Sequence, residues 1–497
     1  MNSLQHQHIL ILGLGASGLG MARWCVRCGA RVTVADTRQN PPQLAVLQSE
    51  LPMIRFVGGA FTAGLLQGVN AVFKSPGLSP AEIAVIATAA QASGISVSGE
   101  LTLFAQALAQ LASSRGYAPV VLAITGTNAK TTVTSMTGQL VAHAGRTVAV
   151  AGNIGPTLLD TLAARLDADD LPQVWVLELS SFQLDSADGF CPTAATVLNL
   201  TQDHLDWHGS MAAYAQAKSR IFGHAGLQIR LQVLNRDDPA VMAMQTGAAP
   251  CPGTASNTVT FGSDVPQRPG DFGLDVADGV TWLVRATEIT TELHGGQASA
   301  LPLQRLLPTG DLLIRGHHNA LNAQAALALA TAAGCPPNLT LGGLRAYRGE
   351  PHRVQWVNSV CSIDFIDDSK GTNVGATVAA LGSVGATCKV VIILGGDGKG
   401  QDFGPLAQAV RQFARAAVLI GRDAHLIHAV LADTGVPLRY AQAMDDAVQQ
   451  AYALAQIGDT VLLSPACASL DMFNDYAHRA RMFVQAVHGI AAPGGSS

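Results

Sequence analysis

Short runs of consecutive apolar residues alternate along the chain with glycine-rich turns and longer alanine-rich stretches of helical spacing. HILILGLGASG (8–18), VVLAITGTNAKTT (120–132), VVIILGGDGKG (390–400) and VLLSPACASL (461–470) share this form. An unbroken apolar run, rather than a strict alternation, is the mark of a strand buried on both faces, so the pattern predicts α/β architecture with mostly parallel sheets. The runs fall into three groups, residues 8 to about 100, about 119 to 225 and about 355 to 485. Boundaries are expected near SSRGYAP (113–119) and YRGEPHR (347–353), where Pro351 stops a helix. The expected domains are therefore 1–115, 116–349 and 350–497. Residues 245–310 have a different texture, rich in Gly, Pro, Thr and Ser. Their short β-like runs Thr258–Phe261 and Val280–Val284 read as hairpins attached to the middle domain, with little chemistry of their own. The tail AAPGGSS is expected to be disordered.

At 497 residues, 48% apolar and 13% charged, the chain can bury several cores and is too apolar for a disordered acidic protein. Thirty Lys and Arg against 35 Asp and Glu exclude a basic protein that coats nucleic acid, although not a local basic cleft. No apolar stretch is long enough to span a membrane, and the N-terminus lacks the cationic start of a secretion signal. Of the eight cysteines only Cys25 and Cys28 are close, inside an apparent helix and with no second pair to complete a metal site. They read as ordinary helix residues of a reduced, cytoplasmic protein.

Two glycine motifs carry candidate chemistry. Gly13-x-Gly15-x-x-Gly18 follows the first strand, and Asp36 ends the second. Glycines there allow close approach of a diphosphate to a helix N-terminus, and a carboxylate about twenty residues on can bond a ribose hydroxyl. A dinucleotide, another nucleotide diphosphate such as a UDP-linked molecule, and a bare packing turn all fit. The second motif is a strand followed by Thr125-Gly126-Thr127-Asn128-Ala129-Lys130-Thr131-Thr132 and a helix. This is the P-loop arrangement: backbone N–H groups around phosphates, Lys130 on the terminal phosphates and the Thr131 hydroxyl on Mg²⁺. The match is imperfect, since the general pattern has glycine where Ile124 and Ala129 stand. Glu178 ends the apolar strand Val174–Leu177, and a strand at Ala195–Leu200 leads into Thr201, Asp203, His204 and Asp206. Polar groups at the carboxyl ends of three neighbouring strands point to ATP and Mg²⁺ chemistry. The glycines of these turns, with Gly152, Gly155, Gly395, Gly396 and Gly398, are all expected in turns at strand ends.

The segments GTNAKTT, AGNIG (151–155), LELSSFQL (177–184), NLTQDHLDWH (199–208) and YAQAKSRIF (214–222) resemble the Mur ligases, ATP-dependent amide-forming enzymes of peptidoglycan synthesis. HHNALNA (317–323), PHR (351–353), DDSKGTN (367–373), GGDGKGQDF (395–403) and LLSPACASLD (462–471) resemble the D-glutamate-adding branch of that family. The resemblance runs over nearly the whole chain, in family order. It implies an N-terminal Rossmann-like domain for a UDP-linked substrate, a central P-loop-type ATPase domain and a C-terminal Rossmann-like domain for the incoming amino acid. The reaction implied joins D-glutamate to UDP-N-acetylmuramoyl-L-alanine, in a monomer with no nucleic-acid or membrane partner.

By the same resemblance Gly15, Ser17, Asp36, Thr37, Arg38, Ser75, Gly77 and Asn153 would meet the UDP-substrate. The loop Gly126–Thr132, with Asn319, Asn322, Arg353 and Asp368, would bind ATP. Thr131, Glu178, His204 and Lys218 would hold two Mg²⁺ ions, Lys218 as a carbamate formed from CO₂. Lys130, His204 and Lys218 would be catalytic, and Lys370, Thr372, Lys399, Ser469, Leu470 and Tyr476 would receive D-glutamate. Spacing alone makes Lys218 a surface helix lysine. The chain departs from the family pattern at Ala129 (usually Gly), Glu350 (usually apolar) and Tyr476 (often Phe), and its 245–310 stretch is long. A sibling ligase adding another amino acid is the alternative, with a nicotinamide-dependent dehydrogenase or a non-catalytic nucleotide-binding regulator more remote. The region LGGDGKGQDF, standing where a diamino-acid-adding sibling carries a DNPR-type motif, argues against that sibling.

Overall fold

The computed structural model describes residues 4–223, 229–245, 257–288, 301–314 and 316–490. The tail 491–497 and parts of the 245–310 stretch lie outside the described residues.

Three α/β layers follow one another, as the apolar runs predict. The first sheet is built from β1 (His8–Leu12), β2 (Arg31–Asp36), β3 (Arg55–Gly58), β4 (Ala71–Lys74) and β5 (Ser96–Gly99). Its order is β3-β2-β1-β4-β5, all parallel. The strand order reverses between β1 and β4, and the crevice at their carboxyl ends is where such sheets take ligands. The second sheet comprises β6 (Val120–Thr125), β7 (Val148–Gly152), β8 (Val174–Glu178), β9 (Ala194–Val197), β10 (Leu231–Asn235) and β11 (Thr258–Phe261). It runs β11-β10-β9-β6-β8-β7, again wholly parallel.

Beside it, β12 (Phe272–Ala277), β13 (Val280–Ala286) and β14 (Leu303–Pro308) form a small antiparallel sheet. Thr258–Phe261 therefore belongs to the edge of the central sheet and not to a hairpin. Its chemistry is also not negligible, because Phe261 lines the main cleft. The last sheet contains β15 (Gln355–Val360), β16 (Ile363–Asp367), β17 (Val390–Gly395), β18 (Ala414–Ile420), β19 (Leu438–Tyr440) and β20 (Thr460–Leu463), ordered β15-β16-β20-β17-β18-β19. Only the β15–β16 pair is antiparallel.

The first two layers share one core. Phe104, on the helix Glu100–Arg115, meets Trp175 of β8 edge-to-face at 5.2 Å, and both are fully buried. Truncating either to alanine costs about 3–5 kcal/mol, a loss carried by both domains at once. Arg23–Asp160 and Arg27–Asp167 ion pairs rim the contact. Cys25 lies in the helix Ala16–Arg27 and Cys28 at its end, both buried thiols. Gly18 is likewise inside this helix and not in a turn. A Cβ there would stand 2.0 Å from the Gly13 carbonyl oxygen, so glycine lets helix and strand touch.

Candidate functional site

Two clefts open at the carboxyl ends of the parallel strands. The N-terminal one is lined by Gly13, Gly15, Ser17, Asp36, Thr37, Arg38, Ser75 and Gly77 among others, which brings together seven of the eight residues expected to meet a UDP-substrate. Asp36 is not free there. Its buried carboxylate accepts from the Leu14 N–H at 2.7 Å and from both Arg38 Nε and Nη2 at 2.8 Å. Burial raises that carboxyl, but Arg38 and the backbone N–H donors outweigh it and leave it below the usual range. Asp36 thus fixes the glycine turn and aims Arg38, whose side chain is 55% exposed and is the group offered to an anion. Ser75 donates from Oγ to the Gly13 carbonyl at 2.8 Å, tying β4 to the same turn. Asn153, the eighth, stands in the central domain, where its Nδ2 donates to Glu178 Oε1 at 2.8 Å.

In the central domain, β6 has β8 and β9 as neighbours, and the register sets Ile124 beside Glu178 and Thr125 beside Val197. The loop between β6 and the helix Lys130–His143 is therefore overlooked by Glu178 on one side and by the 198–204 segment on the other. Its turn is closed by Ala129 at φ +65°, a left-handed conformation that explains why glycine is usual there. Lys130 Nζ donates to the Gly126 and Thr127 carbonyls, each at 2.9 Å, and so lies over the loop it belongs to. Arg353, from the C-terminal domain, reaches Thr131 Oγ1 with Nη2 at 3.1 Å and keeps a buried Nε without a partner among the described residues.

Lys218 is not a surface lysine. It is 1% exposed on the helix Met211–Ser219, with Nζ donating to the Gly126 carbonyl at 2.9 Å and lying 4.5 Å from the centre of the Tyr214 ring. Burial, with Lys130 nearby, drives its pKa far below that of a free lysine, so its neutral amine is readily formed. His204, at φ +54°, packs against Phe182 with ring centres 4.8 Å apart; burial lowers it to about 4, which leaves a neutral imidazole able to bind a metal.

Glu178 is 2% exposed, and while Oε1 accepts from Asn153, Oε2 has no hydrogen-bond partner among the described residues. A buried carboxylate oxygen left open beside a phosphate-type loop is an oxygen donor of the kind a hard divalent cation takes. Among the described residues no three His, Cys, Asp or Glu side chains gather on one point. A metal here would need ligands from outside those side chains.

The main cleft, about 260 Å³, runs from this loop between the central and C-terminal domains. It is lined by Asn128, Ala129, Thr132, Asn319, Asn322, Arg353 and Asp368, so the residues expected at the two ends of ATP share one cavity. Asp368 accepts from Ser464 Oγ at 2.7 Å, and burial pushes its carboxyl up to about 7. Glu350 also faces the cleft, held by the Tyr347 hydroxyl at 2.8 Å.

The residues expected around D-glutamate divide. Lys370 Nζ lies 5.3 Å from the centre of the Tyr476 ring, Thr372 follows in the same loop, and Ser469 is buried while Leu470 is 72% exposed. Lys399 instead bridges domains, donating to Asp203 Oδ1 at 2.8 Å. Asp203 stands in the sequence motif without an assigned role, and only its burial beside Lys399, His204 and Asn373 discloses that it joins two domains.

The comparisons with known proteins agree with this layout. Family models described as the Mur ligase MurD-like N-terminal domain, the Mur ligase middle domain and the Mur ligase glutamate ligase domain match residues 7–99, 124–330 and 352–467. The UDP-N-acetylmuramoylalanine–D-glutamate ligase of Albidiferax ferrireducens is 60% identical, covering 100% of this chain and 99% of its own. The enzyme of the same name from Ralstonia nicotianae is 55% identical over 98% of each. Among solved structures, the UDP-N-acetylmuramate–alanine ligase of Thermotoga maritima shares the fold at a TM-score of 0.57 and 19% identity, with 97% of this chain and 99% of that one aligned. The MurF ligase of the same organism, in complex with ADP, gives 0.57 at 14% identity, over 98% and 97%. With matches in all three α/β layers and relatives this similar from end to end, the chain belongs to the Mur ligase family.

Proposed function

We propose that the chain is an ATP-dependent ligase that joins D-glutamate to UDP-N-acetylmuramoyl-L-alanine during peptidoglycan precursor synthesis. The observation that carries this reading is the gathering of Lys130, Lys218 and the open Glu178 oxygen around one loop, with a cleft lined by Asn319, Asn322, Arg353 and Asp368 opening from that loop and a separate cleft that bears Arg38. The names of the relatives supply the substrates.

A carboxylate is a poor electrophile with a poor leaving group. Transfer of the ATP γ-phosphoryl to the alanine carboxylate gives an acyl phosphate; the D-glutamate amine attacks its carbonyl, and the tetrahedral intermediate expels phosphate. In this reading Lys130 leaves its loop carbonyls to neutralise the phosphates, and Arg353 stands beside them. Glu178, His204, Thr131 and Lys218 would hold Mg²⁺, which would supply positive charge against that developing on the phosphoryl group. Lys218 would act as a carbamate: its neutral amine adds to CO₂ and loses a proton, giving an anion that would serve as a further Mg²⁺ ligand. Asn319, Asn322 and Asp368 take the nucleoside end of ATP. Lys370, Thr372, Lys399, Ser469, Leu470 and Tyr476 take D-glutamate, and Gly15, Ser17, Asp36, Thr37, Arg38, Ser75, Gly77 and Asn153 take the UDP-substrate. Closure of the C-terminal domain keeps water from the acyl phosphate. The domains are 1–115, 116–349 and 350–497, and the protein acts as a cytoplasmic monomer. No helix among the described residues is long and apolar enough to cross a membrane.

Phosphate release with ATP and UDP-N-acetylmuramoyl-L-alanine, comparing D-glutamate, L-glutamate and L-alanine, tests the reading. Turnover with D-glutamate alone is expected; equal turnover with L-alanine would reject the substrate assignment.

A further inference from the structure

Arg479 is fully buried, yet neither of its hydrogen-bond acceptors is a carboxylate. Nη1 donates to the Cys467 carbonyl at 3.1 Å, Nη2 donates to the Ser369 carbonyl at 2.9 Å, and Nε finds no partner among the described residues. Burial lowers the guanidinium to about 10, so it remains charged at neutral pH. A buried cation whose hydrogen bonds go to main-chain carbonyls, with Asp471, Asp367 and Asp368 nearby favouring its charge, is still a costly way to fill a core position, since an unbranched apolar side chain would occupy similar volume without desolvating a charge. What an apolar side chain lacks is a rigid fork that fixes the spacing of two carbonyls.

Those two carbonyls belong to the two loops that border the proposed D-glutamate pocket. Ser369 lies directly before Lys370, in the loop after β16; Cys467 lies two residues before Ser469, in the loop after β20. The parent strands are parallel neighbours, but beyond their ends the loops meet through few bonds, among them Ala466 N–H to the Gly371 carbonyl at 2.9 Å and Ser464 Oγ to Asp368 Oδ2 at 2.7 Å. Arg479 itself sits one turn into the helix Tyr476–His488, whose first residue is the ring that faces Lys370. One side chain thus joins all three segments of the pocket.

We propose that Arg479 is a positioning residue that sets the spacing of the Lys370 loop, the Ser469 loop and the Tyr476 ring, and so tunes the pocket to an amino acid bearing two carboxylates. The inference rests on the function proposed above. A dicarboxylate is gripped at both ends, so a shift of about 1 Å between loops weakens binding steeply, on the order of a hundredfold at the limit. The UDP-substrate, held by other segments, does not sense that spacing, whereas ATP meets the Lys370 loop through Asp368.

The test is steady-state phosphate release by the full chain with each of the three substrates varied in turn, for wild type, Arg479→Met and Arg479→Lys, with thermal unfolding to confirm folding. The expected result is a D-glutamate KM raised tenfold or more in Arg479→Met and by a smaller factor in Arg479→Lys, with the UDP-substrate KM within twofold of wild type and the ATP KM raised by a smaller factor than the D-glutamate KM. A further variant, Arg479→Ala, should likewise show a raised D-glutamate KM, which free guanidinium at millimolar concentration is expected to lower. An unchanged D-glutamate KM in a folded variant, or a common rise in all three KM values, overturns the clamp. Should Arg479→Met fail to fold, Arg479→Lys decides by the same criteria. Wild-type chain that releases no phosphate with D-glutamate overturns the functional reading itself, whereas wild-type turnover with an unmoved KM in the variants overturns the clamp alone.

Discussion

Lys399 of the C-terminal domain donates to Asp203 of the central domain at 2.8 Å, and both side chains are largely buried. Burial pushes the Asp203 carboxyl up, but Lys399, His204 and Lys130 outweigh it and hold the group below the usual carboxylate range. Three further bonds cross the same seam: Asn373 Nδ2 to Asn128 Oδ1 at 2.9 Å and to Asp203 Oδ2 at 3.4 Å, and the Asp402 N–H to Gln202 Oε1 at 3.2 Å. The ion pair therefore latches the C-terminal domain onto the loop that bears His204. Lys399→Met leaves a buried carboxylate unpaired, a loss of about 2–5 kcal/mol by analogy with interface pairs. Turnover is expected to fall at least tenfold, and small-angle scattering should show a larger radius of gyration. A compact variant with wild-type turnover would refute the latch.

Lys130 and Lys218 donate to the same Gly126 carbonyl, yet their removal should have different remedies. Lys130→Ala removes a charge that no small molecule restores, with an expected loss of turnover of about 10²–10³-fold or more and little change in the unfolding midpoint. Lys218→Ala removes the proposed carbamate, and a short-chain carboxylic acid should restore part of its activity. Full activity of Lys218→Ala without any addition would count against the carbamate, and near-wild-type Lys130→Ala against the phosphate-loop role.

Much of this was legible in the sequence because the signals are local. Apolar runs marked the strands, and the turn motifs after them marked the ligand edge of each sheet. What escaped depended on contacts between distant segments. Asp36 reads as a ribose ligand from its place at a strand end, but its oxygens are taken by Leu14 and Arg38. The spacing of Lys218 describes an exposed helix position, and only the packing of that helix over Gly126 and Tyr214 buries it. Thr258–Phe261 looks like hairpin because a short edge strand carries no mark of which sheet it joins. Arg479 left no signal at all, since the carbonyls it binds have no side-chain identity.

Ala129 provides a test of backbone strain at the phosphate loop. Its φ of +65° costs an L-residue about 1–2 kcal/mol, against about 0.5–1 kcal/mol for the greater freedom glycine loses on folding. Ala129→Gly is therefore expected to raise stability by up to about 1 kcal/mol, read by urea denaturation. A loss of stability of that size would show that the methyl group packs usefully against the core beside it.

Glu100 gives the joint between the first two domains a pH dependence of definite sign. Its carboxyl is 2% exposed, with Oε1 accepting from the Leu159 N–H at 3.1 Å and Oε2 unpartnered among the described residues. Burial raises it from 4.5 to about 7, the Leu159 N–H opposing. Between those two values the folded chain holds a proton that the unfolded chain has released. Folding is then favoured by protons, and stability falls as pH rises from about 4.5 to 7. The full loss is on the order of 3 kcal/mol, spread over that window. Glu100→Gln keeps an acceptor for Leu159 and cannot ionise, so it should stabilise the chain at pH 8 and be close to neutral at pH 4.5. Urea midpoints of wild type and variant at the two pH values check this. The same shift at both, or stabilisation only in acid, would mean that Glu100 is charged in the folded chain.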